Sequence, residues 1–231
     1  GENESLQFSG SISMPGDLNN DGFDDVIVGE ASYNFSLIER YKGRISLYYG
    51  GVSMDSVADR IIYGDNKYDR FGYSVSGAGD VDGDGVNEFL AGAPYNGYAG
   101  TDAGIVYLYK GSETSSDIED VELTGLPSEQ FGYTVSSAGD FNADGFNDVI
   151  VGAPKANSNG AESGKASIYF GEPAWNTTPD ITINGAAAFD HFGTSVSLAG
   201  DVNQDSYDDL IIGAPENDAG GFDAGRAYIY F

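Results

Sequence analysis

The chain has 231 residues, of which 37 are acidic and 10 basic, for a formal net charge of -27. A surface of that sign repels phosphate, so no nucleic-acid partner is expected, and the lack of Cys excludes disulfides and thiolate metal sites. No run approaches the roughly 18 apolar residues of a membrane helix, so no membrane insertion is expected either.

The first residues, Gly1-Glu2-Asn3-Glu4-Ser5, carry no basic and apolar leader and read as a mature or cut end. Beyond them the chain repeats itself about every sixty residues. Each repeat opens with a Phe-Gly piece: Phe71-Gly72, Phe131-Gly132, Phe192-Gly193 and, more loosely, Phe8-Ser9. An acidic loop follows, beginning at Asp17, Asp80, Asp140 or Asp201. Next is a short apolar run stopped by Gly-Ala-Pro, at Phe89–Pro94, Val149–Pro154 and Leu210–Pro215, as expected for a strand buried on both faces. A Tyr-rich piece comes next, at Gly104–Tyr109, Gly164–Tyr169 and Gly225–Tyr230. A weaker strand closes each of the first three repeats, at Arg60–Tyr63, Val121–Leu123 and Ile181–Ile183. No segment sustains a 3.6-residue apolar period, so no helix is predicted.

Four short antiparallel strands per repeat describe a propeller blade, which buries its faces only by stacking on neighbours. The predicted fold is therefore all-β: one β-propeller domain of about four blades, near residues 6–63, 71–123, 131–183 and 192–231. By this reading the array has 15 strands and an incomplete last blade, because Phe231 directly follows its third strand. Another chain, or the rest of a larger propeller, would complete it.

Oxygen-bearing side chains stand at positions 1, 3, 5 and 9 of every acidic loop. They are Asp17, Asn19, Asp21 and Asp25; Asp80, Asp82, Asp84 and Glu88; Asp140, Asn142, Asp144 and Asp148; and Asp201, Asn203, Asp205 and Asp209. The backbone carbonyls of Phe23, Val86, Phe146 and Tyr207 would add a ligand at position 7. Alternate oxygens on a turning loop converge, and crowded anionic oxygens suit a hard cation such as calcium, which takes 6–8 oxygen ligands. Up to four Ca2+ are expected. The competing account of a single such loop is a turn held by Asx hydrogen bonds. Position 12 holds Val28, Ala91, Val151 and Ile212 where an EF-hand has Glu, so this is a different calcium loop. The second loop, with four carboxylates, should bind most tightly. The fourth, with Ser206 where the others have Gly, should bind most weakly.

The Phe-Gly, acidic-loop and Gly-Ala-Pro signatures stand in order in three of four repeats, and in this the sequence resembles the FG-GAP repeat family, best known from the integrin α-subunit headpiece. The resemblance implies a propeller, usually of seven blades, with calcium in loops on one face, an extracellular setting and a role in adhesion or ligand binding. The first repeat departs from the pattern, with Phe8-Ser9 for Phe-Gly and Gly29-Glu30-Ala31 for Gly-Ala-Pro.

The expected function is a calcium-stabilised, non-catalytic extracellular or cell-surface module. Its partner would be a protein or glycan ligand, or copies of itself through the open blade edge. The alternative is an accessory propeller or fragment of a larger secreted enzyme or of a seven-bladed receptor headpiece. His191, the single His, reads as a variable surface position. Asp102, Glu162 and Asp223, two residues before a strand-opening Gly, read as loop caps. Trp175 reads as satellite packing, with a sugar platform as the other use. Asn3, Asn34 and Asn176 match the N-glycosylation acceptor pattern.

Overall fold

A computed structural model describes residues 10–34, 40–111 and 121–231. Its strands form four antiparallel sheets in chain order. The first joins β1 (Ser11–Gly16), β2 (Asp25–Gly29), β3 (Arg44–Tyr48) and β4 (Arg60–Tyr63). The second joins β5 (Ser74–Gly79), β6 (Glu88–Ala93), β7 (Ile105–Tyr109) and β8 (Val121–Thr124). The third joins β9 (Thr134–Gly139), β10 (Asp148–Ala153), β11 (Lys165–Tyr169) and β12 (Ile181–Asn184). The last has three strands: β13 (Ser195–Gly200), β14 (Asp209–Ala214) and β15 (Arg226–Tyr230). Among the described residues the only helical turn is a 3-10 turn at Asp218–Gly220.

Neighbouring sheets meet through their first strands: β1 lies against β5, β5 against β9, and β9 against β13. That is the arrangement of propeller blades around an axis, here as an open array of four. Small residues on these strands serve a purpose beyond relieving crowding. Ser11 Oγ and Ser13 Oγ accept the Val75 and Gly77 N–H groups of the next blade, both at 3.0 Å, and Ser74 Oγ accepts Val135 N–H at 3.0 Å. The hydroxyls thus satisfy backbone donors that no strand neighbour reaches.

The second strands are the core. Every residue of β6 and β10 is buried, as the continuous apolar runs predict. Three hydrophobic clusters fill the spaces between blades. In the first, Ile27 and Leu47 of blade one meet Val75, Phe89 and Tyr109 of blade two, and the Phe89 and Tyr109 rings stack at 5.0 Å.

The structure revises the first piece of each repeat. Phe-Gly is a tight turn ahead of the strand: β5 begins at Ser74, and Phe71-Gly72-Tyr73 precedes it. Phe71, Phe131 and Phe192 are fully buried plugs between their own blade and the preceding one. The Gly that ends each apolar run closes the same joint. A Cβ added to Gly29, Gly92 or Gly152 would lie 2.1–2.2 Å from the carbonyl oxygen of Gly72, Gly132 or Gly193 in the next blade. The Phe-Gly and Gly-Ala-Pro signatures are therefore two halves of one blade-to-blade contact. Blade one substitutes Glu30 for the Ala of that signature. Glu30 is buried and accepts from the Arg44 guanidinium and from Ser46 Oγ, each at 2.9 Å, so its charge is paired. Phe8-Ser9 lies outside the described residues.

Candidate metal centre

The acidic loops connect the first and second strands of each blade, so antiparallel pairing puts all four at one end of the array. Each begins with a bulge where the ladder shifts register at Gly16, Gly79, Gly139 or Gly200, all at positive φ. Such a bulge turns the strand and redirects the chain.

Within a loop the side chains fold inward. The position 1 carboxylate accepts two loop N–H groups: Asp80 takes those of Gly83 at 2.7 Å and Gly85 at 3.0 Å, and Asp140 those of Asp144 at 2.9 Å and Gly145 at 3.0 Å. Position 3 accepts from the position 5 N–H, as Asn203 does from Asp205 at 2.8 Å. Position 5 accepts from the position 7 N–H, as Asp84 does from Val86 at 2.9 Å. The Asn side chain at position 3 also donates to the position 5 carboxylate, at 3.0, 2.8 and 2.9 Å in loops one, three and four. Asx hydrogen bonds thus hold the loops in shape. A carboxylate has about four lone-pair sites, so these bonds leave acceptor capacity for an ion.

Position 9 is the deepest. Asp25, Glu88, Asp148 and Asp209 are all buried, and each accepts the position 2 N–H at 2.8–2.9 Å. In blades one and three the second oxygen accepts from Gly50 at 2.7 Å or Gly171 at 2.9 Å. Glu88 Oε1 and Asp209 Oδ1 are buried with no hydrogen-bond partner. Burial raises the Asp25 carboxyl, lifts Asp148 to about 6, and pushes Glu88 to about 8. At Glu88 the charges of Asp82, Asp84 and Asp80 act in the same direction.

Loop two is the most concentrated. Oxygens of Asp80, Asp82 and Glu88 all lie within 4.8 Å of one another. The Lys110 ammonium is bonded to Asp82 and stands 3.6 Å from Asp84, supplying positive charge to the cluster. Sequence reading missed Lys110, which follows β7 and has Tyr49 and Phe170 as its counterparts in blades one and three. It also missed position 4, where Asn20, Ala143 and Gln204 have φ near +60° and Gly83 +77°. Position 6 is left-handed as well: Gly22, Gly85 and Gly145 at +89° to +96°, and Ser206 at +77°. Apolar Leu18 and Val81 at position 2 root their loops in the first two clusters.

The remaining candidates lie elsewhere. His191 stands on the linker into blade four, at the opposite end from the acidic loops, with Nε2 2.8 Å from Glu162 and Nδ1 3.0 Å from Glu216. It ties the loops of blades three and four together. Asp102 and Glu162 cap loops in left-handed conformations, and their carbonyls accept the N–H groups of Gln130 and His191 from the next blade. Asp223 has the same backbone conformation, and its N–H donates to Asp218. Trp175 packs on the second cluster. Asn3 lies outside the described residues; Asn34 Oδ1 accepts from Tyr41 N–H at 2.6 Å, and Asn176 is exposed.

The FG-GAP repeat model matches residues 9–48, 71–109, 131–169 and 192–230, one match per blade. The chain belongs to the FG-GAP repeat family. It is an integrin-α-like propeller module. It is 34% identical over 196 residues to the phosphatidylinositol-glycan-specific phospholipase D of Dictyostelium discoideum, covering 74% of this chain and 20% of that protein. It is 31% identical over 164 residues to integrin alpha-5 of Xenopus laevis, covering 65% and 14%. Integrin alpha-8 of Gallus gallus is 34% identical over 173 residues, covering 72% and 15%. The FG-GAP chain thus spans a fifth or less of the length of these relatives. No helix among the described residues is long and apolar enough to cross a membrane.

Proposed function

We propose that the four acidic loops bind calcium and that the ions brace an extracellular, non-catalytic binding or adhesion module. One observation carries the reading: Glu88 Oε1 is buried without a hydrogen-bond partner, beside the Asp80 and Asp82 carboxylates. A buried carboxylate oxygen left unmatched is costly, and a hard cation there satisfies it together with its neighbours. The ligands in each loop are the side chains at positions 1, 3, 5 and 9 and the position 7 carbonyl, as read from the sequence.

Magnitude favours an extracellular setting. At an affinity of about 10⁻⁴ M and millimolar calcium, each site adds about 1.4 kcal/mol. Four sites add about 5–6 kcal/mol, comparable to the whole stability of a domain. In calcium-poor cytosol that support vanishes. The exposed ends and faces of the blades would meet a protein or glycan, or a second copy through the edge of β15. Thermal unfolding with and without excess chelator tests the structural role: the transition should fall by 10 °C or more, on the order of 2–4 °C per kcal/mol lost. An unchanged transition would refute it.

The phospholipase D relative supports a second reading, in which this propeller accompanies a catalytic domain in a larger secreted enzyme. Flanking domains in the parent gene would favour that reading over a free-standing adhesion module.

A further inference from the structure

We infer that neighbouring calcium loops are energetically coupled through the residue at position 8, which is not a ligand. The inference rests on the calcium reading above. Position 8 is Asp24, Asn87, Asn147 or Asp208, polar in every loop. In each case where a preceding blade is present, it reaches the base of that blade's loop. Asn87 Nδ2 donates to Pro15 O at 3.1 Å. Asn147 N–H donates to Asp80 O at 3.1 Å. Asp140 N–H donates to Asp208 Oδ2 at 3.0 Å. Asp80 and Asp140 are position 1 residues, the first ligands of their own loops.

The contact is also steric. A Cβ on Gly16, Gly79 or Gly139 would lie 2.4, 2.1 or 2.1 Å from the side chain of Asn87, Asn147 or Asp208. The bulge glycine before each loop thus makes room for the next loop's position 8. Gly200, in the fourth loop, has nothing within 4 Å. A further contact joins loops two and three, where the Phe146 ring lies over Gly83, 2.5 Å from the place of a Cβ there.

Position 8 sits between two ligands, the position 7 carbonyl and the position 9 carboxylate. An ion that draws those two together fixes position 8, and position 8 then holds the preceding loop's first ligand or its neighbour. The second ion meets a loop already partly ordered and pays less to order the rest, which is positive coupling without a change of fold. Ordinary blade packing accounts for the contacts but predicts independent sites.

The test follows each site separately in the full chain, by NMR of the position 6 amides of Gly22, Gly85, Gly145 and Ser206 during calcium titration. Asp144→Ala silences site three. Affinity at sites two and four should fall about five-fold or more, with site one unchanged. Asp208→Ala removes the acceptor for Asp140 N–H, so silencing site three should no longer weaken site four. Asp208→Asn keeps an acceptor oxygen and should restore the effect. Should Asp208→Ala fail to fold, Asn87→Ala with site two silenced by Asp84→Ala asks the same question of sites one and two. Unaltered affinity at sites two and four, or an equal loss at site one, overturns the coupling. Amides that never respond to calcium overturn the calcium reading itself, and the coupling with it.

Discussion

Gly43 of the first blade lies directly beneath Phe71 of the second. The Phe71 N–H donates to Lys42 O at 3.2 Å, and a methyl group on Gly43 would sit 2.1 Å from the Phe71 carbonyl oxygen. The same pairing recurs at Gly104 with Phe131 and at Gly164 with Phe192. All three glycines have φ of +80° to +82°, so both conformation and space demand glycine.

Gly164→Ala should therefore destabilise the protein by about 3 kcal/mol or more, combining overpacking with left-handed strain. Denaturant unfolding followed by tyrosine fluorescence measures it. A loss below 1 kcal/mol would mean that the joint between blades three and four yields easily.

Ser206 carries the opposite expectation. Its φ of +77° is one that the other three loops give to glycine. Ser206→Gly should stabilise the protein by about 1 kcal/mol and tighten calcium at site four. Calorimetric titration beside a melting curve reads both. Unchanged affinity would show that the serine backbone is not what weakens the site.

On the proposed calcium reading Lys110 would compete with the ion for loop two, since its ammonium bonds Asp82. Lys110→Met should raise calcium affinity at that site by up to about fivefold, the scale of a partly exposed ion pair of ~1 kcal/mol. The Gly85 amide during titration reports that site alone. Weaker binding in the variant would make Lys110 a support for the loop rather than a rival.

Asp69 predicts a pH dependence away from the acidic loops. It is buried beside Asn66 and Asn96, which donate at 3.2 and 2.6 Å, and burial raises its carboxyl from 3.8 to about 6. Because the folded value exceeds the unfolded one, folding favours the protonated form. Its stabilising contribution is complete below about pH 4 and is lost as pH rises through 6. Relative to Asp69→Asn, the natural protein should lose on the order of 1–3 kcal/mol across that window. Parallel stability curves for the two proteins would contradict the shift.

The buried acid two residues before each Phe-Gly shows how far sequence reading reached. Asp69 and Asp190 bind the side-chain amides of Asn96 and Asn217, at 2.6 and 2.7 Å. Blade three has Ala156 in place of that Asn, and there the acid is the longer Glu129, paired with Lys165 at 2.8 Å. Each residue alone looks like an ordinary charged linker or loop position. Only when the linker folds over the Gly-Ala-Pro loop does the exchange of one partner for another make sense.

What the sequence determined by itself was the repeat: strand spacing, alternation and loop composition are local patterns, readable along the chain because backbone geometry repeats with them. It named the four acidic loops and the depth of the second strands for the same reason. The tertiary structure alone decided which residues join the blades. Phe-Gly became a turn and plug and the bulge glycines became seats for position 8, because each depends on which blade lies alongside; Lys110 came to face Asp82 because the end of β7 folds over the acidic loop of its own blade. Those contacts join residues far apart in the chain, and their fit is set by packing in three dimensions.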